Sequence, residues 1–99
     1  MKYIISLGGS VIVPDKVNIA YLKSFDKLIK KHSKNNKFVI VTGGGSTARK
    51  YMKPLEFFKL NNKTVGLIGI AATRLNANLL KTVMKIQSNP KSLKDVNSL

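Results

Sequence analysis

Two glycine-rich segments hold the residues whose types and spacing could do chemistry. Residues 43–49 read Gly-Gly-Gly-Ser-Thr-Ala-Arg, residues 8–10 read Gly-Gly-Ser, and each segment directly follows an apolar run. Glycines allow backbone N–H groups to turn toward an anion, and the N-terminus of a following helix favours negative charge. The pattern therefore predicts two phosphate-binding loops made of backbone, although a tight turn between a strand and a helix has the same composition.

The sequence lacks the motifs and residue types that other common binding and catalytic sites require. Residues 43–47 lack the Gly-x-x-x-x-Gly-Lys-Ser/Thr spacing, and neither loop reads Gly-x-Gly-x-x-Gly in the dinucleotide-binding register. The chain has no cysteine, a single histidine at position 32, and four acids that are far apart in sequence. Thiolate zinc sites and disulfides are thereby excluded, and we predict neither a metal site nor a catalytic side chain.

The elements that must position the two loops alternate between strand and helix. The apolar runs Lys2–Leu7 and Lys37–Thr42 predict two buried parallel strands. Between them, Asn18 is expected to cap a helix that runs to about His32. Because the carboxyl ends of parallel strands lie at one edge of a sheet, both glycine loops are expected to face one crevice.

Proline and the apolar pattern predict the remaining elements. Pro14 favours a loop over residues 11–15, and Pro54 is expected to break the helix after the glycines near Lys53. A long helix is predicted over residues 67–86. Its apolar stripe is formed by Leu75, Leu79, Val83 and Ile86 and is widened by Leu80 and Met84. Two strands make a narrow sheet, so further strands are expected from more chain or from a partner.

The composition predicts one small domain. The formal net charge is +14, but sixteen lysines, two arginines and nine asparagines indicate a general bias toward lysine and asparagine. The lysines are spread along the chain without interleaved aromatic residues, which makes nucleic-acid binding a minor alternative. No secretion signal or membrane-spanning run is apparent, and the cysteine-free sequence favours the cytoplasm.

Four motifs, in this order and spacing, resemble the N-terminal part of the amino-acid kinase family, and within it the archaeal type of uridylate (UMP) kinases. They are Ser6-Leu7-Gly8-Gly9-Ser10-Val11, Val13-Pro14, the segment 43–51 and the segment 68–77. The resemblance covers residues 1–86 and implies an α/β, Rossmann-like, three-layer αβα sandwich. Residues 1–99 would form the phosphate-acceptor side of this domain, with residues 87–99 as a polar tail and the ATP-binding C-terminal half absent.

The resemblance implies phosphoryl transfer from Mg-ATP to UMP, giving UDP and ADP. Gly44 would hold the UMP phosphate, and the helix over 73–77 would border the UMP site and a dimer contact. The residues implied to contact the ATP phosphates are Gly9, Ser10, Gly45 and Arg49. Mg²⁺ would be bound mainly through the nucleotide phosphates and the absent half. Complete UMP kinases of this kind are hexamers built from dimers, so a homo-oligomer is expected.

Three positions depart from the family pattern. Gly66 stands where UMP kinases keep an aspartate for the UMP ribose, Ser6 stands where many relatives carry a lysine, and Pro54 falls in a helix that relatives leave uninterrupted. We predict a UMP kinase-like phosphotransferase that is inactive as an isolated piece. The alternatives are a non-catalytic module that binds phosphate or nucleotide, and a basic nucleic-acid-binding protein.

Overall fold

The computed structural model describes residues 1–86, so the polar tail predicted over 87–99 lies outside the described residues. Two strands and four α-helices follow one another along the chain. They are β1 (Lys2–Leu7), α1 (Gly9–Ile12), α2 (Ile19–His32), β2 (Lys37–Thr42), α3 (Gly45–Met52) and α4 (Asn62–Met84), with a 3₁₀ segment (Lys53–Phe58) between α3 and α4. No helix within this part of the chain has both the length and the apolar content that crossing a membrane requires.

The two predicted strands are confirmed residue for residue. They pair in parallel, in a register that runs from Lys2 opposite Lys37 to Leu7 opposite Thr42. Helix α2 forms the crossover between them, and the predicted cap is confirmed because the Asn18 side chain accepts a hydrogen bond from the Tyr21 amide at 3.1 Å. This βαβ unit brings both glycine loops to the carboxyl edge of the sheet.

The core lies on one face of this sheet. Side chains alternate along a strand, and the face that carries Leu7 packs against α2 and the C-terminal part of α4. The buried cluster consists of Leu7, Ile12, Val13, Leu22, Phe25, Leu80 and Met84. On the opposite face Ile4 is 62% exposed and Val41 is 51% exposed, although Val39, which pairs with Ile4, is buried, so this face is open only in part among the described residues.

The break predicted near Lys53 is confirmed. Helix α3 ends at Met52, and Pro54 stands at the start of the 3₁₀ segment, where its missing N–H costs no helical hydrogen bond. Lys59, in the left-handed conformation with φ of 50°, ends that segment. The proline therefore sets the point at which the chain turns from α3 toward α4.

Two predicted boundaries are wrong. Residues 11–15 were expected to form a loop, but the first two of them lie in α1, since the Val11 amide and the Ile12 amide both donate to the Gly8 carbonyl. Helix α4 begins at Asn62 and not at 67, because the Asn61 side chain caps it by accepting a hydrogen bond from the Thr64 amide at 2.8 Å.

The apolar stripe predicted on α4 is also shifted around the helix. Leu75 is 59% exposed and Val83 is 39% exposed, whereas Leu79 and Ile86 only partly pack against the core. The buried positions recur at every fourth residue and are Ala72, Asn76, Leu80 and Met84. The face of α4 that points inward is therefore set by its contacts with β2, α2 and α3, and it includes a polar residue.

Candidate functional site

The two glycine loops touch each other backbone to backbone at the carboxyl edge of the sheet. A Cβ on Gly9 would overlap the amide nitrogen of Gly45 and the carbonyl group of Gly43. A Cβ on Gly45 would in turn overlap the carbonyl group of Gly9, and Gly45 has a left-handed φ of 57°. No other residue type fits either position, so the predicted meeting of the two loops is confirmed.

Helix α3 begins inside this contact and directs its N-terminus toward the crevice. Gly44 is its N-cap. The first hydrogen bond within the helix is donated by the Ala48 amide to the Gly44 carbonyl, at 3.1 Å. The preceding amides at the start of a helix lack intrahelical acceptors and carry the positive end of the helix dipole. This arrangement favours an anion next to the triple glycine.

Arg49 joins the two loops through its side chain. Its Nη1 donates to the Oγ of Ser10 at 3.3 Å, across 39 positions of sequence, and the pair is exposed to solvent. The guanidinium therefore lies over the first glycine loop while its backbone belongs to the helix that follows the second. A planar fork of donors at this place suits a phosphate group better than a point charge does.

A cavity of about 430 Å³ opens beside the triple glycine. Helix α3 and its loop contribute one wall of this cavity, and α4 contributes the other. The residues that line it are Gly44, Gly45, Ala48, Gly66, Gly69, Ile70, Thr73 and Arg74. No acid is among them, and Arg49 and Arg74 are the two arginines of the whole chain. The cavity therefore combines backbone donors of the glycine loop with Arg74, whereas Arg49 lies over the first glycine loop, and such donors fit phosphate esters.

Side chains that the sequence did not single out as functional hold the loops in place. Asn76 is 2% exposed, and its Nδ2 donates to the carbonyl oxygens of Gly43 at 2.8 Å and Gly44 at 3.2 Å. The Oγ of Ser46 donates to the Val13 carbonyl at 2.7 Å, and the Oγ1 of Thr42 donates to the Thr73 carbonyl at 3.1 Å. For Asn76, the signal available in the sequence was a polar residue at a position where the apolar pattern of the helix predicts an apolar one.

All the predicted site residues come together at this edge of the sheet. Gly9 and Ser10 begin α1, Gly44 is the N-cap of α3 and Gly45 its first residue, and the Arg49 side chain reaches Ser10. Gly66 lies in α4, lines the same cavity, and has no atom within 4 Å of the place where a Cβ would stand. Within residues 1–86, no three side chains of histidine, cysteine, aspartate or glutamate come close enough together to hold a metal ion.

The sequence model of the amino acid kinase family matches residues 1–97. The chain belongs to the amino acid kinase family. Among its relatives, the uridylate kinase of Thermoplasma volcanium is 46% identical over 82 residues, which are 83% of this chain and 36% of that protein. The uridylate kinase of Pyrococcus abyssi is 34% identical over 95 residues, which are 96% of this chain and 42% of that protein.

A solved structure supports the same assignment for this amino acid kinase family chain. The crystal structure of uridylate kinase from Archaeoglobus fulgidus matches the whole chain with a TM-score of 0.83 and 34% sequence identity, and the match covers 45% of that structure's chain. The predicted fold class, a partial αβα sandwich with parallel strands, is thereby confirmed. The chain spans less than half the length of the relatives and the solved structure described above.

Proposed function

We propose that this chain supplies the phosphate-acceptor side of a UMP kinase, which transfers a phosphoryl group from ATP to UMP and gives UDP and ADP. The observation that carries the proposal is the direct contact between the two glycine loops, with Arg49 bonded to Ser10 across it. Phosphoryl transfer depends mainly on positioning the two reacting groups and stabilising their charge. Two backbone anion sites in contact, with an arginine between them, suit that task.

Within this proposal the residues divide between the two nucleotides. Gly9, Ser10, Gly45 and Arg49 contact the ATP phosphates, where amides and a guanidinium can share the charge. Gly44 holds the UMP phosphate, and Gly66 borders the UMP ribose across the cavity. Because the described residues offer no cluster of carboxylates for a metal ion, we propose that Mg²⁺ arrives with the ATP phosphates and is held mainly by polypeptide outside this chain.

The chain alone is proposed to bind without turning over. Its relatives are more than twice as long, and the exposed side chains of Ile4 and Val41 on the sheet leave room for further polypeptide. Half of a site that works by positioning is not expected to keep half of the rate. A module that binds phosphate or nucleotide without catalysis is the second candidate, and the same length difference favours it.

Complementation separates these two candidates. The chain is joined to the part of Thermoplasma volcanium uridylate kinase that follows the matched region, and UDP formation from UMP and ATP is measured. We expect UDP from the joined protein and none from either part alone, because only the joined protein positions both nucleotides.

The control for this experiment is nucleotide binding by the same proteins, measured by calorimetry. Saturable UMP binding without UDP formation in a folded joined protein would favour the binding module. A folded joined protein that binds neither UMP, ATP nor inorganic phosphate would overturn both candidates. Binding of unrelated RNA that weakens steeply with salt would instead support the nucleic-acid alternative.

Gly66→Asp is expected to tighten UMP binding about tenfold, since a hydrogen bond to a charged group contributes about 1.5–3 kcal/mol. The new side chain has open space at this position and would face the cavity from α4. Titration calorimetry with UMP measures the effect. Inorganic phosphate, which has no ribose, should gain nothing, and Gly66→Asn serves as the uncharged control. An unchanged affinity for UMP would remove Gly66 from the proposed ribose contact.

We further propose that the protein works as a homo-oligomer in the cytoplasm. Several large apolar side chains on α4 point away from the core among the described residues, and they include Leu67, Ile68 and Leu75, which are 58%, 38% and 59% exposed. An apolar helix face of this kind is typical of a protein contact. Sedimentation equilibrium of the joined protein measures the number of subunits directly.

A further inference from the structure

Asn76 occupies a position on α4 where an apolar residue would be expected. Its neighbours one turn away on the same face are Ala72 and Leu80, and all three are buried. Burying a side-chain amide is unfavourable unless it is hydrogen-bonded. Asn76 meets that requirement because its Nδ2 donates two hydrogen bonds, and both acceptors belong to the triple-glycine loop.

The two acceptors are the carbonyl oxygens of successive residues, Gly43 and Gly44. In a trans peptide the carbonyl group and the next N–H group point in opposite directions. With both carbonyls bonded to Asn76, the amides of Gly44 and Gly45 face away from it. Glycine peptides rotate with little steric resistance, so without Asn76 the peptide between Gly43 and Gly44 could turn its donor inward. The peptide between Gly44 and Gly45 would keep the bond that its carbonyl accepts from the Ala48 amide.

We infer that Asn76 is a positioning residue: it fixes the peptide between Gly43 and Gly44, and together with the Ala48 amide the peptide between Gly44 and Gly45, so that the amides of Gly44 and Gly45 are available to a phosphate. This inference rests on the proposed function only in identifying the anion. Helix α4 also bonds the end of β2, where the Oγ1 of Thr42 donates to the Thr73 carbonyl, so the loop is fixed from one helix at two points. The amide and the loop together form one rigid unit.

Two variants test this role in the full chain. Asn76→Asp keeps the shape of the side chain but replaces its donor with a carboxylate that repels the two carbonyls. Asn76→Leu keeps the number of heavy atoms and the branching of the side chain, although its two methyl groups are bulkier; it suits the buried face, favours the helix and removes the donor. The matched control is Asn78→Asp, which makes the same chemical change on the same helix at an exposed position.

The first measurement is the amide spectrum of the glycines by NMR, without any ligand. We expect the Gly44 amide to shift and broaden in both Asn76 variants, since its peptide becomes free to exchange, while Asn78→Asp leaves it sharp. The Gly45 amide should shift less, because the Gly44 carbonyl keeps its bond from the Ala48 amide. Circular dichroism shows whether each variant keeps its helices. A folded Asn76→Leu protein with unchanged Gly44 and Gly45 resonances would overturn the inference, whether or not the wild type binds phosphate.

The second measurement is a titration with inorganic phosphate, followed at the same amides. The wild type and Asn78→Asp are expected to bind alike, whereas both Asn76 variants are expected to bind at least about tenfold more weakly. Equal affinity in a folded Asn76→Leu protein would contradict the positioning role. If the wild type shows no phosphate effect at Gly44 and Gly45, the proposed anion site is wrong, and the spectra without ligand still decide the role of Asn76.

Discussion

Gly9→Ala is expected to lower the free energy of unfolding by about 3 kcal/mol, the upper end of the usual cost of overpacking. The added Cβ would overlap backbone atoms of Gly43 and Gly45, and backbone cannot move aside as a flexible side chain does. The two glycine loops must then separate, so phosphate affinity should fall together with stability. Urea unfolding followed by circular dichroism measures the first effect, and a phosphate titration measures the second.

The matched control is Gly66→Ala, the same change at a helical glycine with open space around it. Alanine in a helix interior is more favourable than glycine by about 0.5–1 kcal/mol, so this variant should become slightly more stable. The two substitutions are therefore expected to change the free energy of unfolding in opposite directions. If Gly9→Ala unfolds at the same urea concentration as the wild type, the backbone contact between the loops does not exist as described.

Arg49→Ala is expected to slow UDP formation by the joined protein about a thousandfold, as the loss of an arginine that stabilises the transferred phosphoryl group does in other phosphotransferases. Its guanidinium is the described side chain that links the first glycine loop to α3. Arg49→Lys should recover only part of the rate, because an ammonium group keeps the charge but loses the planar fork. Steady-state kinetics with ATP and UMP as varied substrates measure both effects.

Lys50→Ala is the control for the charge itself. Lys50 is the next residue on α3, but its Nζ bonds to the carboxylate of Asp15 at 3.1 Å and to the Asp15 carbonyl at 2.9 Å. Because such an exposed pair contributes at most about 1 kcal/mol, its loss should change the rate little. Similar rates for the Arg49→Ala and Lys50→Ala proteins would mean that net charge, and not the position of the guanidinium, governs the reaction.

The part of the fold that depends on local pattern could be predicted from the sequence. Both strands are continuous apolar runs bounded by polar residues, and they were predicted without error. Asn18 caps the helix that follows it and Pro54 ends the helix before it, and both of these local effects are confirmed. The start of α4 was missed because Asn61, Asn62 and Lys63 have the composition of a turn, whereas the Asn61 side chain caps the helix.

The features that depend on distant contacts could not be predicted in the same way. The inward face of α4 follows from what packs against it, so Leu75 was expected to be buried and is exposed. Asn76 could be recognised only as a polar residue among apolar ones, because its partners lie 32 and 33 positions away. The meeting of the two glycine loops was predictable since the geometry of parallel strands alone requires it.

The bonds that build the crevice connect residues far apart in the chain: Ser10 with Arg49, Val13 with Ser46, and Gly43 with Asn76. None of these pairs exists in an unfolded chain, so a ligand of the crevice binds the folded state alone. At a hundred times its dissociation constant such a ligand adds about 2.7 kcal/mol to stability by mass action. The cellular concentration of that ligand would therefore help to set how long the chain survives proteolysis.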